Sequence, residues 1–422
     1  MSDRINCSLT KLNSKKKIWS IFKIPEFARK DDYDFSCNYK LGYLPKGGSK
    51  TKKSKKERVS NYLTTEKEKG TILDVRPEGK SRLITRFVEG SDWLKKAQRK
   101  FHRIIAKELT DIPYLQSTIK NTSYATNGNM HAGAPRYFYT IDLKDFFGQI
   151  GINRVKYSLQ KLLDIDSDVA VFYSKMLTSP NDDNPPNFVL GQGLPSSPLL
   201  SFLCNKSLFD YIYKISCENN IVFTDYVDDI TFSSEKEIPQ AFINKIMGII
   251  KGNKLIVNRG KIHRPGKETT KRITGVCIIG GGKPSIARKK HEELFCLFEA
   301  IIEILHKPEI TIDNYFDLMN IFLKFSGNYI HLCSVQYDSN LSADFKPYTH
   351  AKYSDLYYNL LPYFRIGIKK KNSLKPYSME NIQKEDYQVI LNQFEDLKAV
   401  LNKLRGLFPL IKRKNSIIKY NR

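Results

Sequence analysis

The stretch Ile221–Ser234, IVFTDYVDDITFSS, constrains the fold more than any other part of the chain. Two β-prone runs joined by a tight turn specify a hairpin. Yet Asp228 and Asp229 stand side by side at that turn, with Asp225 just before it. Strands are depleted in Asp, and neighbouring carboxylates repel. The chain around them has the opposite character: 69 Lys and Arg against 44 Asp and Glu in 422 residues, a net charge of +25. Such an excess points to a polyanionic partner, nucleic acid above all, or else only to solvated lysines.

A hydrophobic content of 41% is enough for a packed core. No apolar run approaches the ~18 residues needed to span a bilayer. The first residues, MSDRINCSLTKLNSKKK, lack a signal-peptide core. The seven cysteines form no CxxC pair and no regular spacing. That argues against a disulfide framework or zinc knuckle, and for packing thiols in a reducing cytosol. The expected location is cytoplasmic, with no membrane partner.

The length suits two or three subdomains. Residues 1–69 are expected to form a basic N-terminal extension, with a short helix around 18–28 interrupted at Pro25. Within it, Lys46–Arg58 (KGGSKTKKSKKER) is either a solvated linker or a phosphate-contacting arm. TILDVRPEGKSRLITRFV predicts a hairpin turning at Pro77-Glu78-Gly79. SDWLKKAQRKFHRIIAKEL predicts a helix capped by Ser91 or Asp92, its core stripe being Leu94, Ala97, Phe101, Ile104 and Ile105. RYFYTIDLKDFFGQI predicts a strand ending near Asp142, with helix following to about Leu177. GQGLPSSP opens a long helix, and IPQAFINKIMGIIKGN and RKKHEELFCLFEAIIEIL predict two more, with a hairpin between them in KRITGVCIIGGGKPSIA. Helices mixed with short antiparallel hairpins predict an α+β class.

If the strand ending at Asp142 lies beside the acidic hairpin, three carboxylates meet. That is costly unless cations neutralise them. Magnesium suits oxygen ligands and phosphates. Two such ions, roughly 3.5–4 Å apart, activate an attacking hydroxyl and stabilise a leaving pyrophosphate. Taken alone, an Asp-Asp turn is more often structural.

Three segments in order, IDLKDFF, QGLPSSP and YVDD, resemble the A, B and C motifs of reverse transcriptases. The resemblance, over roughly 70–310, implies a right-hand polymerase: fingers and palm over 70–270 and a thumb-like region over 271–310; beyond it the residue pattern predicts a helical basic C-terminal extension over 311–422. It implies Asp142 and Asp228 as the main metal ligands for two Mg2+ ions, Asp229 in support, and the Leu143 carbonyl as a further ligand. Phe147 is implied as a steric gate against a 2′-hydroxyl, or else is a core residue beside Phe146. Gln192 is implied to line the incoming nucleotide. RPEGKSRLITR resembles the hairpin that grips a deoxynucleoside triphosphate, with Lys80 and Arg82 as candidates and Arg86 as an alternative. Lys261, in NRGKIHRPG, is either a general acid for the leaving pyrophosphate or a solvated loop lysine.

Two further segments are similar to elements of bacterial retron reverse transcriptases: NGNMH, Asn127 to His131, and ITG, Ile273 to Gly275. The retron resemblance implies a structured non-coding RNA as template and primer. It implies a branched RNA–DNA product started from a guanosine 2′-hydroxyl, and antiphage defence through a separate effector protein. Asn127, His131, Thr274 and Gly275 are its RNA-binding candidates. The motifs depart from the retron pattern at Gly128 and at Leu194-Pro195-Ser196. A non-retron defence enzyme with protein-primed or template-independent synthesis, or a non-catalytic RNA-binding scaffold, stands as the alternative.

Overall fold

The computed structural model describes residues 4–45, 72–73, 81–109, 112–183, 186–337, 348–364 and 384–410. The chain divides into two compact units, Met1–Thr269 and Thr270–Arg422.

The first unit opens with a three-stranded sheet of β1 (Tyr39–Pro45), β2 (Ile72–Leu73) and β3 (Ser81–Phe87), in the order β2-β1-β3. Here the expected 72–87 hairpin is corrected: β2 and β3 do not pair with each other. β1 lies between them, parallel to β2 and antiparallel to β3 from Tyr39↔Phe87 to Pro45↔Ser81. The expected turn at 77–79, Lys80, the 46–58 arm and the 411–422 tail lie outside the described residues.

A second sheet positions the acids. β4 (Tyr137–Asp142) is followed by the two-residue strands β5 (Ser179–Pro180) and β6 (Phe188–Val189), which pair with each other. The acidic hairpin then forms β7 (Val222–Tyr226) and β8 (Asp229–Ser234), giving the order β4-β8-β7 with antiparallel neighbours. Residues 257–263 run beside β4 through the bridges Leu143↔Val257 and Thr140↔His263, and Leu115 bridges Asp225 beyond β7. One face of this sheet is aromatic. Phe223 stacks on Phe232 at 5.3 Å, and Phe242 of the helix Gln240–Gly252 meets Phe232 edge-on at 5.5 Å. Each such ring contributes roughly 1.5–3 kcal/mol through burial, so the hairpin is anchored well away from its acidic tip.

The helix Asp92–Ala106 buries Leu94, Ala97, Phe101 and Ile105 as its spacing requires, and adds Gln98. The expected helix to Leu177 is two helices, Ile152–Leu163 and Ser167–Leu177, broken at Asp164 with φ +53°. The helix after GQGLPSSP likewise divides into Ser197–Leu203 and Lys206–Glu218. A helix at Lys15–Phe22 stops before Pro25. Ile5, Leu9, Ile18, Phe22 and Phe35 join the same buried core as Phe101 and Tyr173.

In the second unit, β9 (Lys271–Ile273), β10 (Val276–Ile279) and β11 (Lys283–Ser285) form an antiparallel sheet in the order β11-β10-β9. The predicted hairpin is present, with the loop Thr274–Gly275 at φ +47° and +111°. Two positive φ values mark the turn family that matches strand twist in two-residue loops. Helices Arg288–Leu305, Ile312–Tyr337, Tyr348–Leu360 and Lys384–Leu407 follow. Phe322, Phe325 and Phe364 lie among their fully buried rings. All seven cysteines are free, but Cys37, Cys217 and Cys296 are exposed rather than packed. No helix among the described residues is long and apolar enough to cross a membrane.

Candidate active site

The strand register brings the predicted acids together. Asp142 ends β4 directly opposite Asp229, the first residue of β8, and Asp228 sits in the turn between Tyr226 and Asp229. Like charges directly opposite on antiparallel strands are destabilising, so this register carries a cost that the aromatic face of the sheet outweighs. The Leu143 amide donates to the Asp228 carbonyl at 2.9 Å, which ties the end of β4 to the turn. Val227, the other turn residue, has φ +63°. A β-branched residue in the left-handed region is strained, and strain of this kind is held where the surroundings over-determine the backbone.

The electrostatics follow from this crowding. Burial, and then the neighbouring Asp142 charge, raise the Asp228 carboxyl above the usual range. The Asp229 carboxyl is pushed up to about 6 by the protein around it, then by the charges of Asp228 and Asp142. Its surface is exposed, so water screens part of that repulsion. Lys261 and Arg82 act in the opposite direction on both acids, which places the Arg82 charge within reach of the cluster.

Lys261 is an exposed residue that pairs with the cluster: its Nζ donates to Asp142 Oδ1 at 2.5 Å. Asn258, which the sequence did not single out, holds the other oxygen. Its Nδ2 donates to Asp142 Oδ2 at 3.0 Å and its backbone amide to the Asp142 carbonyl at 2.8 Å. Both contacts come from the 257–263 segment lying along β4. The Asn-Arg-Gly-Lys spacing is the one sequence signal that could have suggested Asn258 with Lys261.

A glycine turn abuts β3. Gly193 has φ +112°, and a Cβ there would stand 2.7 Å from the Thr85 carbonyl of β3. The Gln192 carbonyl accepts from the Thr85 amide at 2.8 Å, and the Gln192 side chain stays half-buried beside it. Phe146 enters the core while Phe147, 6.0 Å away ring to ring, is only partly buried. The position expected of the gate is therefore the more accessible of the two. Arg82 and Arg86 are both exposed on β3.

Other expected site residues are placed differently. Asn127 and His131 are fully buried, so their expected role as RNA contacts is corrected to an internal one. His131 joins the two hairpin strands: Nδ1 meets Ser233 Oγ at 2.7 Å and Nε2 meets Thr224 Oγ1 at 2.8 Å. Burial, then the Arg136 charge, depress its pKa to about 3. Asp225, expected as a turn or strand-end residue, is buried inside β7. Burial and Asp228 push its carboxyl well up, and its Oδ1 has no hydrogen-bond partner. Thr274 and Gly275 form the β9–β10 loop of the second unit.

The oxygen donor set of Asp142, Asp228 and Asp229 suits a hard divalent cation, whose charge would offset the burial and mutual repulsion that raise the Asp228 and Asp229 carboxyls. Among the described residues no three acidic, histidine or cysteine side chains are grouped so as to hold a metal ion, and Lys261 and Asn258 hold the Asp142 carboxylate.

Residues 85–277 match the family model "Reverse transcriptase (RNA-dependent DNA polymerase)". The chain is similar to the retron Ec86 reverse transcriptase of Escherichia coli, 28% identical over 227 residues, covering 53% of this chain and 67% of that protein. It is similar to the retron Ec83 reverse transcriptase of the same species, 28% identical over 170 residues, covering 39% of this chain and 54% of that protein. The retron Mx162 reverse transcriptase of Myxococcus xanthus is 25% identical over 222 residues, covering 46% and 44% respectively. The chain thus spans two thirds of the first and about half of the others. Among solved structures, apo telomerase from Candida tropicalis aligns with TM-score 0.39 at 12% identity, covering 80% of this chain and 73% of that one. Telomerase from Candida albicans with a telomeric RNA fragment aligns with TM-score 0.38 at 10% identity, covering 79% and 65%. Both scores are too low to place individual residues.

Proposed function

We propose that this chain, a retron-type reverse transcriptase and so an RNA-directed DNA polymerase, copies a structured non-coding RNA into DNA at Asp142, Asp228 and Asp229. The observation that carries the reading is the register of Asp142 against Asp229, with Asp228 in the adjoining turn and Lys261 closing the cluster.

In the reaction a hydroxyl oxygen gives up its proton to solvent and bonds to the α-phosphorus of a deoxynucleoside triphosphate, and the bond from that phosphorus to the pyrophosphate oxygen breaks. Mg2+ held by Asp142 and Asp228, with Asp229 and the Leu143 carbonyl in support, would lower the hydroxyl's pKa and offset the charge on the phosphates. Lys261 would leave Asp142 and give its proton to the departing pyrophosphate, with Asn258 keeping Asp142 in place. Arg82, and Lys80 beside it in sequence, would hold the triphosphate. Phe147 would close the space that a ribose 2′-hydroxyl needs, and the Gln192 turn would bring backbone against the base pair.

Region by region, we assign fingers and palm to residues 70–270, a thumb to 271–310 and a further helical region to 311–422. We assign the Thr274–Gly275 loop to RNA contact, since an A-form helix is met through its shape and phosphates. Initiation from a guanosine 2′-hydroxyl, a branched product and antiphage defence with a separate effector protein complete the reading, supported by the retron likeness. Sequencing the nucleic acid that co-purifies with the protein tests it. A branched RNA–DNA molecule is expected; DNA covalently attached to the protein would overturn the retron version.

A further inference from the structure

The helix Asp92–Ala106 carries five Lys and Arg residues against the single acid Asp92. Its buried face is fixed by Leu94, Ala97, Phe101 and Ile105. Lys100 is already used, donating to the Ile21 carbonyl at 2.7 Å. Of the other four, Lys95 is half-buried, whereas Lys96, Arg99 and Arg103 are exposed and spaced three and four residues apart, so they form one row. Neighbours in such a row stand about 5–6 Å apart. No acid among the described residues pairs with any of the three.

The row borders a pocket of about 500 Å3 lined by Lys96, Arg99, His102, Arg103 and Pro195. His102, also lining it, lies between two backbone carbonyls. Its Nδ1 lies 3.1 Å from the Pro195 carbonyl and its Nε2 2.8 Å from the Thr118 carbonyl. The pocket thus has cationic walls from Lys96, Arg99 and Arg103, and the His102 contact to the Pro195 carbonyl ties it to the turn that carries Gln192. Three unpaired cations in a row repel one another, and that arrangement stabilises the protein only when a multiply charged anion sits against it.

We infer that Lys96, Arg99 and Arg103, with the His102 pocket, form a docking surface for the phosphate backbone of the RNA partner, separate from the carboxylate centre and anchored to the Gln192 turn. The inference rests on the polymerase reading for the identity of the polyanion. A backbone presents phosphates at regular intervals, which a helical row of cations meets one by one. The fixed tie through His102 and Pro195 then sets where the RNA lies relative to the turn.

The test compares the full-length protein with the variant Lys96→Gln/Arg99→Gln/Arg103→Gln and the charge-conserving variant Arg99→Lys/Arg103→Lys. Fluorescein-labelled RNA probes, one a 12-base-pair hairpin and one a single strand of equal length, are titrated at several salt concentrations. Thermal melting checks that each variant is folded. Loss of three phosphate contacts is expected to flatten the slope of log K against log salt by about 2–3 and to weaken binding at least roughly tenfold at low salt, on the hairpin, the single strand or both. The probe affected identifies the form of backbone that docks. The lysine variant is expected to keep the wild-type slope. Unchanged affinity and slope on both probes overturn the inference and leave the row to an acidic protein partner. If the wild-type protein binds neither probe and extends no primer, the polymerase reading falls as well. If it binds and extends while the glutamine variant matches its slope, only this inference falls.

Discussion

Replacing His131 by Gln should change how stability depends on pH, by an amount the structure sets. His131 is fully buried between Ser233 and Thr224, and its pKa is depressed to about 3. In the unfolded chain it titrates near 6.5. Between those values the unfolded state binds a proton that the folded state refuses, so stability rises with pH. The contribution is intact above pH 6.5 and is lost progressively as pH falls towards 3. At 1.36 kcal/mol per pH unit, the loss at pH 5 is about 2 kcal/mol. The acids Asp225, Asp228 and Asp229 act in the opposite sense, because raised carboxyl pKa values favour the folded state at low pH. The wild-type-minus-variant difference cancels them. At pH 7.5, losing two buried hydrogen bonds should cost the variant about 2–4 kcal/mol. At pH 5 that gap should shrink by about 2 kcal/mol. The assay is urea unfolding of both proteins at the two pH values. Parallel curves, with the gap unchanged, would refute the burial of a neutral His131 as the bond between β7 and β8.

Three further outcomes follow from the site. Gly193→Ala places a side chain at φ +112° and 2.7 Å from the Thr85 carbonyl, so it should lose about 2–3 kcal/mol of stability and raise KM for deoxynucleotides, read by melting and steady-state extension. Phe147→Ala should relax discrimination against ribonucleotides by at least roughly tenfold, measured as the ratio of kcat/KM for the two sugars, since 1.4 kcal/mol of steric exclusion already corresponds to that factor. Lys261→Ala should lower kcat about 100-fold with a smaller effect on KM, a loss in the range of general acids, and unchanged single-turnover rates would remove Lys261 from the chemistry.

Much of this centre was legible because its determinants are local. The alternation in Tyr137–Ile141 and the hairpin at Ile221–Ser234 each define a strand and a face, and the acids fall at the strand ends. What was missed depends on partners distant in sequence. Tyr39, Leu41 and Tyr43 alternate as a strand requires, but nothing near them announces that β1 inserts between β2 and β3. His131 carries a polar side chain, and only the tertiary positions of Thr224 and Ser233 make it an internal bond. Asp225 carries the residue type of a turn, yet the parallel bridge to Leu115 puts it inside the sheet. Asn258 could be recognised only once the 257–263 segment lay beside β4.

The central claim is that the carboxylate cluster performs RNA-templated DNA synthesis. Single-turnover extension of a DNA primer on an RNA template, by the wild-type protein and by Asp228→Asn, tests it most directly. Extension is expected to require the RNA template and Mg2+, and to fall at least roughly 1,000-fold in the variant, equivalent to about 4 kcal/mol of transition-state stabilisation. Extension without a template, or at an unchanged rate in Asp228→Asn, would contradict the account.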